Sequence, residues 1–316
     1  MGKTSTSERA SRAAAGVLSR RSMLCVSGSA LAVPAPAQQP SKMRLAETPA
    51  ECVAFLAGDQ HLFDYRYSAT RPKTYVHPLF LPNGVPVTLD GTEDHIHHRG
   101  LMLAWTNVNG FDFWGETNPG VKGRIVHQSF ERKDAGPPAE LVAINHWIAG
   151  GKALLVERRV IRAPAPSAGN VFLDWESELR APDAAVALNA ERAVYDGLGI
   201  RFVYSMAGGS VLNANGTTDP DKAFGEPARW CAFHGVCALG TVGGAAIFDH
   251  PSNPRHPTPF AVYSTPHMGY ISAAPTFKEH KLAIPAGKSL RFRYLVVTFL
   301  GRPDRARLDQ LYEKWA

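Results

Sequence analysis

The sequence predicts an all-β fold, one large antiparallel β-sandwich with a short C-terminal helix. Three observations lead there. From about residue 51 onward, short runs rich in β-branched and aromatic residues follow one another, separated by Gly, Pro, Asn and Asp. Strands do not alternate with amphipathic helices, and no glycine-rich phosphate loop stands between a strand and a helix, which argues against an α/β fold. No repeat of fixed period is visible, so two sheets packed face to face are favoured over a propeller.

The N-terminal region reads as a leader. Ser19-Arg20-Arg21-Ser22-Met23-Leu24 sets an arginine pair before a modestly apolar stretch from Leu24 to Val33, and Ala35-Pro36-Ala37-Gln38 follows as a small-x-small cleavage site. Paired arginines in that setting point to the twin-arginine translocase as a partner during export, with cleavage after Ala37 and a periplasmic or secreted product. The apolar stretch is about half the ~20 residues needed to span a bilayer. Residues 38–50, rich in Pro, Gln and Ala, read as a linker, and residues 51–316 as a single domain.

Strands are expected at Leu62–Tyr67, Thr74–Leu81, Arg124–Arg132, Glu140–Ile148, Ala153–Arg162, Val171–Leu179, Arg192–Tyr195, Ile200–Tyr204, Arg229–Leu239, Ala245–Phe248, Phe260–Tyr263 and Leu290–Phe299. The last alternates apolar and basic side chains at its start, as a strand with one wet face should. One helix is expected near the end, where Asp304 can cap a run placing Ala306, Leu308, Leu311, Tyr312 and Trp315 at helical spacing.

Charge excludes one class of function. The chain carries a formal +6, but the leader holds Lys3, Arg9, Arg12, Arg20 and Arg21 against Glu8, so most of that excess lies there. No Lys/Arg-rich run occurs beyond it, which leaves nucleic-acid binding without electrostatic support. No later segment has the length and apolarity of a membrane helix. Beyond the leader stand Cys52, Cys231 and Cys237; the last two could meet across a hairpin turning at Phe233-His234-Gly235, or remain as free buried thiols. G-x-S-x-G, H-E-x-x-H and C-x-x-C are all missing, so a serine hydrolase and the common zinc proteases are poorly supported.

Three polar clusters are candidates for chemistry. In Asp94-His95-Ile96-His97-His98-Arg99-Gly100, an extended backbone would point His95 and His97 to one face and Asp94 and His98 to the other. Two imidazoles on one face suit a divalent metal or proton transfer near neutral pH, and the planar donors of Arg99 suit a carboxylate or a sugar hydroxyl. The second cluster, Asp249-His250-Pro251-Ser252-Asn253-Pro254-Arg255-His256-Pro257, is a proline-held loop at the end of a strand, able to present Asp249, His250, Asn253 and Arg255 to a ligand at little ordering cost. The third, Asn107 to Glu116, opens with the tight-turn pair Asn109-Gly110. Near it Trp105 could stack on a sugar face. His77 and Arg124 are weaker candidates for the same cleft. Because both main clusters are polar and adjoin apolar strands, His95 and His97 are expected to meet Asp249, His250 and Arg255 at one end of the sandwich.

These motifs also carry a resemblance. His77-Pro78, Asp94-His95-x-His97-His98-Arg99-Gly100-Leu101, Trp105, Val108-Asn109-Gly110-x-Asp112-Phe113-Trp114, Gly123-Arg124-Ile125, Gly197-Leu198-Gly199-Ile200-Arg201 and Asp249-His250-Pro251-x-Asn253-Pro254-Arg255 resemble the bacterial proteins labelled PmoA-like, or methane oxygenase PmoA. That label implies a subunit of membrane methane monooxygenase, whose chemistry a metal-dependent oxidase would match. The large sandwich is also similar to the galactose-mutarotase-like supersandwich, in which His and Glu side chains act on a sugar.

The reading that follows is an exported enzyme acting on a sugar or modified glycoside by proton transfer or metal assistance, through hydrolysis, elimination or epimerisation. His95, His97, His98, Arg99, Asp249 and His250 are the expected catalytic residues. His77, Asp94, Trp105, Arg124, Asn253 and Arg255 would bind a small-molecule or oligosaccharide substrate, and His95 and His97 would hold any divalent metal. A non-catalytic carbohydrate-binding protein using the same cleft is the alternative, and a metal-dependent oxidase the third.

Overall fold

In the computed structural model, residues 42–49, 51–116, 121–189 and 196–316 are described. The leader and the expected strand Arg192–Tyr195 lie outside them. Two eight-stranded sheets dominate. The first runs in the order β1 (Met43–Thr48), β2 (Cys52–Ala57), β3 (Gln60–Arg66), β4 (Tyr75–Leu79), β5 (Leu101–Trp105), β12 (Asp196–Arg201), β17 (Met268–Ala273) and β16 (Phe260–Thr265). The second runs β13 (Ser210–Asn213), β14 (Trp230–Val236), β15 (Val242–Asp249), β19 (Ser289–Leu300), β10 (Asn170–Arg180), β9 (Lys152–Ala163), β8 (Ala139–Ala149) and β7 (Arg124–Asp134). A small third sheet joins β18 (Leu282–Ile284), β11 (Val186–Asn189) and β6 (Asn107–Val108). Pairing between the strands is antiparallel throughout, as expected of an all-β sandwich.

The core lies between the large sheets, and strand alternation decides what enters it. In β5, Leu101, Leu103 and Trp105 share one face. Trp105 packs against Trp147 of β8 and Phe292 of β19, with ring centroids 5.9 and 5.4 Å apart. It is therefore a core residue with no exposed surface, and the stacking role expected for it is corrected. A buried ion pair also joins this interior. Arg159 meets Glu157 at two nitrogens, both at 2.8 Å, and its third nitrogen bonds Thr74. Glu157 in turn accepts from Trp147 and Ser177.

The C-terminal helix is α2 (Arg305–Trp315), and the Asp304 side chain accepts from the Arg307 amide at its N-terminus, as its sequence implied. A one-turn helix, α1 (Pro220–Ala223), was not expected. Two further readings are corrected. Residues 43–48, assigned by composition to a linker, form the edge strand β1 in full register with β2, because Met43 is an apolar anchor buried at its start. Phe233-His234-Gly235 lies inside β14 rather than at a hairpin corner, so Cys231 and Cys237 sit at different levels along the chain; Cys52, Cys231 and Cys237 are free buried thiols.

Candidate active site on the outer face of the first sheet

The face of the first sheet turned away from the core carries the polar cluster. On β12, Gly197, Gly199 and Arg201 alternate onto this face, while Leu198 and Ile200 point inward. Gly199 is required there: a β-carbon on it would fall 1.8 Å from the Tyr270 hydroxyl and 3.0 Å from the β-carbon of Ser272. Tyr270 thus lies across the strand beside Arg201, its register partner. His98 stacks on Tyr270 at 5.1 Å and 19°, and His95 stacks on His98 at 4.6 Å and 20°. His97 meets His98 edge-on at 4.6 Å, and Trp114 meets it edge-on at 6.2 Å.

The three imidazoles gather because residues 92–98 turn rather than extend. The His95 amide donates to the Thr92 carbonyl and the His98 amide to the His95 carbonyl. The expected division of the histidines between two strand faces is corrected accordingly, since alternation holds only for extended backbone. Gly100 ends the segment with a φ of 51°, where a β-carbon would meet the Val76 carbonyl at 2.3 Å.

Below this stack lies a chain of ion pairs. Arg99 binds Glu116 through two nitrogens and Asp90 through a third contact at 3.2 Å. Lys73, nearly without exposed surface, meets Glu116 at 3.2 Å and the carbonyls of Trp114 and His97. Burial lowers the Lys73 ammonium to about 8, against the opposing pull of Glu116. Glu116 would be raised by burial, but Arg99 and Lys73 hold it below the usual carboxylate range. Arg99 is therefore answered by the protein's own carboxylates. His77 stands close to Gly100, its ring bonded to Thr88 at 3.0 Å.

At the solvent edge, Asp94 accepts from His95 Nδ1 at 2.8 Å, from Arg201 Nη2 at 3.1 Å and from the Tyr204 hydroxyl at 3.1 Å. Burial works against its ionisation, but its hydrogen bonds and Arg201 keep its carboxyl well below the usual range. With Nδ1 given to Asp94, His95 presents Nε2 outward as a proton acceptor. The other two imidazoles are held neutral. Burial and the nearby charge of Lys73 lower His97 to about 4, and burial with its charged neighbours lowers His98 to about 2.

Several buried polar atoms here have no hydrogen-bond partner: both ring nitrogens of His98, Nε and Nη1 of Arg201, and the Ser272 hydroxyl. His98 is 3% exposed, Arg201 1% and Ser272 0%.

The second cluster is elsewhere. Arg255 donates to the carbonyls of Pro275 and Phe277, beside Thr276, which bonds Asp196 at the start of β12. His98 and Tyr270 lie at the Arg201 end, five residues along, or about 16 Å at strand spacing. The two clusters do not meet. Asp249 is wholly buried and accepts from Asn253 Nδ2, His256 Nδ1 and the Thr258 amide at 2.7, 2.8 and 2.9 Å. Asn253 also bonds both backbone groups of Arg293, and His250 packs edge-on against Trp315. Asp249, His250, Asn253 and Arg255 thus build a self-satisfied turn that seats α2, because short Asp and Asn side chains bond nearby backbone more readily than a distant ligand. Arg124 is likewise spent, on the carbonyls of Ala69 and Arg71.

For a metal, the donor geometry does not fit. Among the described residues, no group of three His, Cys, Asp or Glu side chains is arranged to hold an ion. Of the two ligands expected, His95 gives Nδ1 to Asp94, and its ring meets that of His97 edge-on, with centroids 5.6 Å apart and planes at 62°.

Lys73, Arg201, Ser272 and Tyr270 were not singled out from sequence. Of these only Arg201 had a signal, as the end of the Gly197-Leu198-Gly199-Ile200-Arg201 motif.

Fold and site define an antiparallel β-sandwich with a histidine-rich polar cluster on one outer sheet face. The chain belongs to the family of unknown function DUF6807, whose model matches residues 52–313. A comparison with curated proteins returned no match. Among solved structures, the chain is similar to a heparan sulfate lyase, HepC, from Pedobacter heparinus (10% identity, TM-score 0.34, covering 80% of this chain and 34% of that one). It is also similar to the alpha-galactosidase from Lactobacillus brevis (9%, 0.38, 82% and 39%) and to a GalM/aldose epimerase homologue from C. elegans (10%, 0.35, 84% and 100%). The chain spans little more than a third of the first two. Among the described residues, no helix is long and apolar enough to cross a membrane.

Proposed function

We propose that this protein is an exported carbohydrate-active enzyme that binds a sugar or glycoside on the outer face of the first sheet and acts on it by proton transfer. One observation carries the reading: a solvent-edge Asp94–His95 pair stands directly over buried, unanswered nitrogens of His98 and Arg201. Asp94 fixes the imidazole tautomer, and Nε2 of His95 takes a proton from the substrate. His98, neutral at physiological pH, offers one donor and one acceptor, the pairing that a sugar hydroxyl satisfies. His97, also neutral, stands beside them as a second group able to receive a proton. The chemistry is hydrolysis, elimination or epimerisation. The likeness to PmoA-like proteins rests on the motifs.

Incubating the protein, leader removed, with a panel of glycosides and following product by chromatography tests the proposal. Turnover that disappears in His95→Ala while circular dichroism is unchanged supports it. Turnover indifferent to that change overturns the role of His95. Binding without turnover by the wild type on every glycoside favours the carbohydrate-binding alternative, since His98 and Arg201 alone suffice for recognition.

A further inference from the structure

Resting on the sugar reading above, we infer that the ligand of this face is an acidic sugar whose carboxylate is received by the unanswered nitrogens of Arg201, with His98 beside it. The argument begins with donors. Arg201 is 1% exposed, yet only Nη2 is engaged, by Asp94 at 3.1 Å and the His267 carbonyl at 3.4 Å. Nε and Nη1 together leave three N–H bonds with no acceptor. The buried Arg159 of the same protein shows the contrast, since all three of its nitrogens are bonded. A buried guanidinium half-answered by its own protein calls for an acceptor from outside.

The acceptor is best an anion. A hydroxyl brings a proton that itself needs an acceptor, and the free groups nearby are mostly donors or, as with the Ser272 hydroxyl and the neutral His98 ring, both. A carboxylate only accepts. Among the described residues, the carboxylate that touches Arg201 is that of Asp94, shared with His95 and Tyr204, so its charge is divided. Besides burial and the neighbouring imidazoles of His97 and His95, the cationic Arg201 and Lys73 act on His98, and all of these oppose a further positive charge there. The site borders solvent at its edge, where Asp94, which bonds Arg201, and His95 have side chains each 37% exposed.

The test uses calorimetric titration of the protein, leader removed, with oligosaccharides of glucuronate, galacturonate and mannuronate, each beside its methyl ester and its neutral hexose counterpart. At least one acid is expected to bind ten-fold or more tightly than its ester, with affinity falling as salt rises. Arg201→Met is expected to erase the acid-over-ester preference; should that variant fail to fold, the wild-type comparison decides alone. Equal binding of acid and ester, or tighter binding of a neutral sugar, overturns the carboxylate assignment and leaves the sugar reading standing. A sulfated hexose that binds as tightly as the best acid likewise overturns it. Binding of no sugar at all overturns both.

Discussion

Replacing Asp249 with Asn separates a structural turn from a ligand site. Asp249 Oδ2 accepts from His256 Nδ1 and the Thr258 amide, and Oδ1 accepts from Asn253 Nδ2. An Asn side chain keeps one oxygen. If that oxygen stays on Thr258 and His256, the new amide NH2 faces Asn253 Nδ2, donor against donor. Asn253 cannot turn over to relieve this, because its oxygen accepts from the Arg293 amide and its nitrogen donates to the Arg293 carbonyl, each at 2.7 Å. Two buried donors are left unanswered, at about 1–3 kcal/mol each, so a loss of about 3 kcal/mol is expected. For a domain of this size that lowers Tm by roughly 6–12 °C. Urea unfolding followed by tryptophan fluorescence measures it, and the Tyr312 hydroxyl bond to the Asp249 carbonyl makes α2 the first element expected to loosen. Sugar binding should survive in the folded fraction, because Asp196, the residue near the turn's Arg255, lies five residues along β12 from Arg201, about 16 Å at strand spacing. A loss below about 1 kcal/mol, or sugar binding abolished in folded protein, would refute the reasoning.

Further outcomes follow from the site and the chain. His98→Phe keeps the stack on Tyr270 but removes two unanswered buried nitrogens, so urea unfolding should show a gain of about 1 kcal/mol while sugar binding is lost; a net destabilisation would count against the site. Because burial lowers folded His97 to about 4 and folded His98 to about 2, the unfolded chain takes up protons first as pH falls below 6.5. Stability should therefore decline on acidification from that point, with the His97 part levelling off below about 4, and His97→Gln should flatten the slope in urea midpoints measured against pH. A thiol reagent should find Cys52, Cys231 and Cys237 slow to react in native protein and fast in urea, since all three are buried and free; rapid native labelling would contradict their burial. Lys at both Arg20 and Arg21 should block export of the precursor, and export that continues would end the twin-arginine proposal.

What could be read in the sequence was whatever depends on local order. The Asn109-Gly110 pair makes its tight turn, with φ of 51° and 88° and a bridge from Val108 to Phe111, because those residues tolerate positive φ. Long strands such as β19 declared themselves by alternation. β1 did not, since Met43 and Leu45 are few apolar residues in a segment whose neighbours are Pro and Gln. The histidine cluster was legible as a cluster, but not its geometry, which depends on hydrogen bonds between Thr92, His95 and His98 that no periodicity encodes. Lys73 was invisible: no acidic residue stands near it in Arg71-Pro72-Lys73-Thr74-Tyr75, and its partner Glu116 arrives from another segment only in the folded chain.

The two polar loops also show why residue type alone misleads. Both contain Asp, His and Arg beside an apolar strand, and both mix buried with exposed residues. They differ in whether their polar atoms are answered. Asp249 has three donors upon it, and Arg159 in the core has all its nitrogens bonded; these groups have spent their hydrogen-bonding capacity on holding the fold. Arg201, His98 and Ser272 have not. Orphaned buried polar groups cost free energy that a fold selected only for stability would shed by substituting apolar residues. Such groups are expected where a ligand completes them, and here they share one sheet face with the Asp94–His95 pair, whose exposed edge gives that ligand its way in.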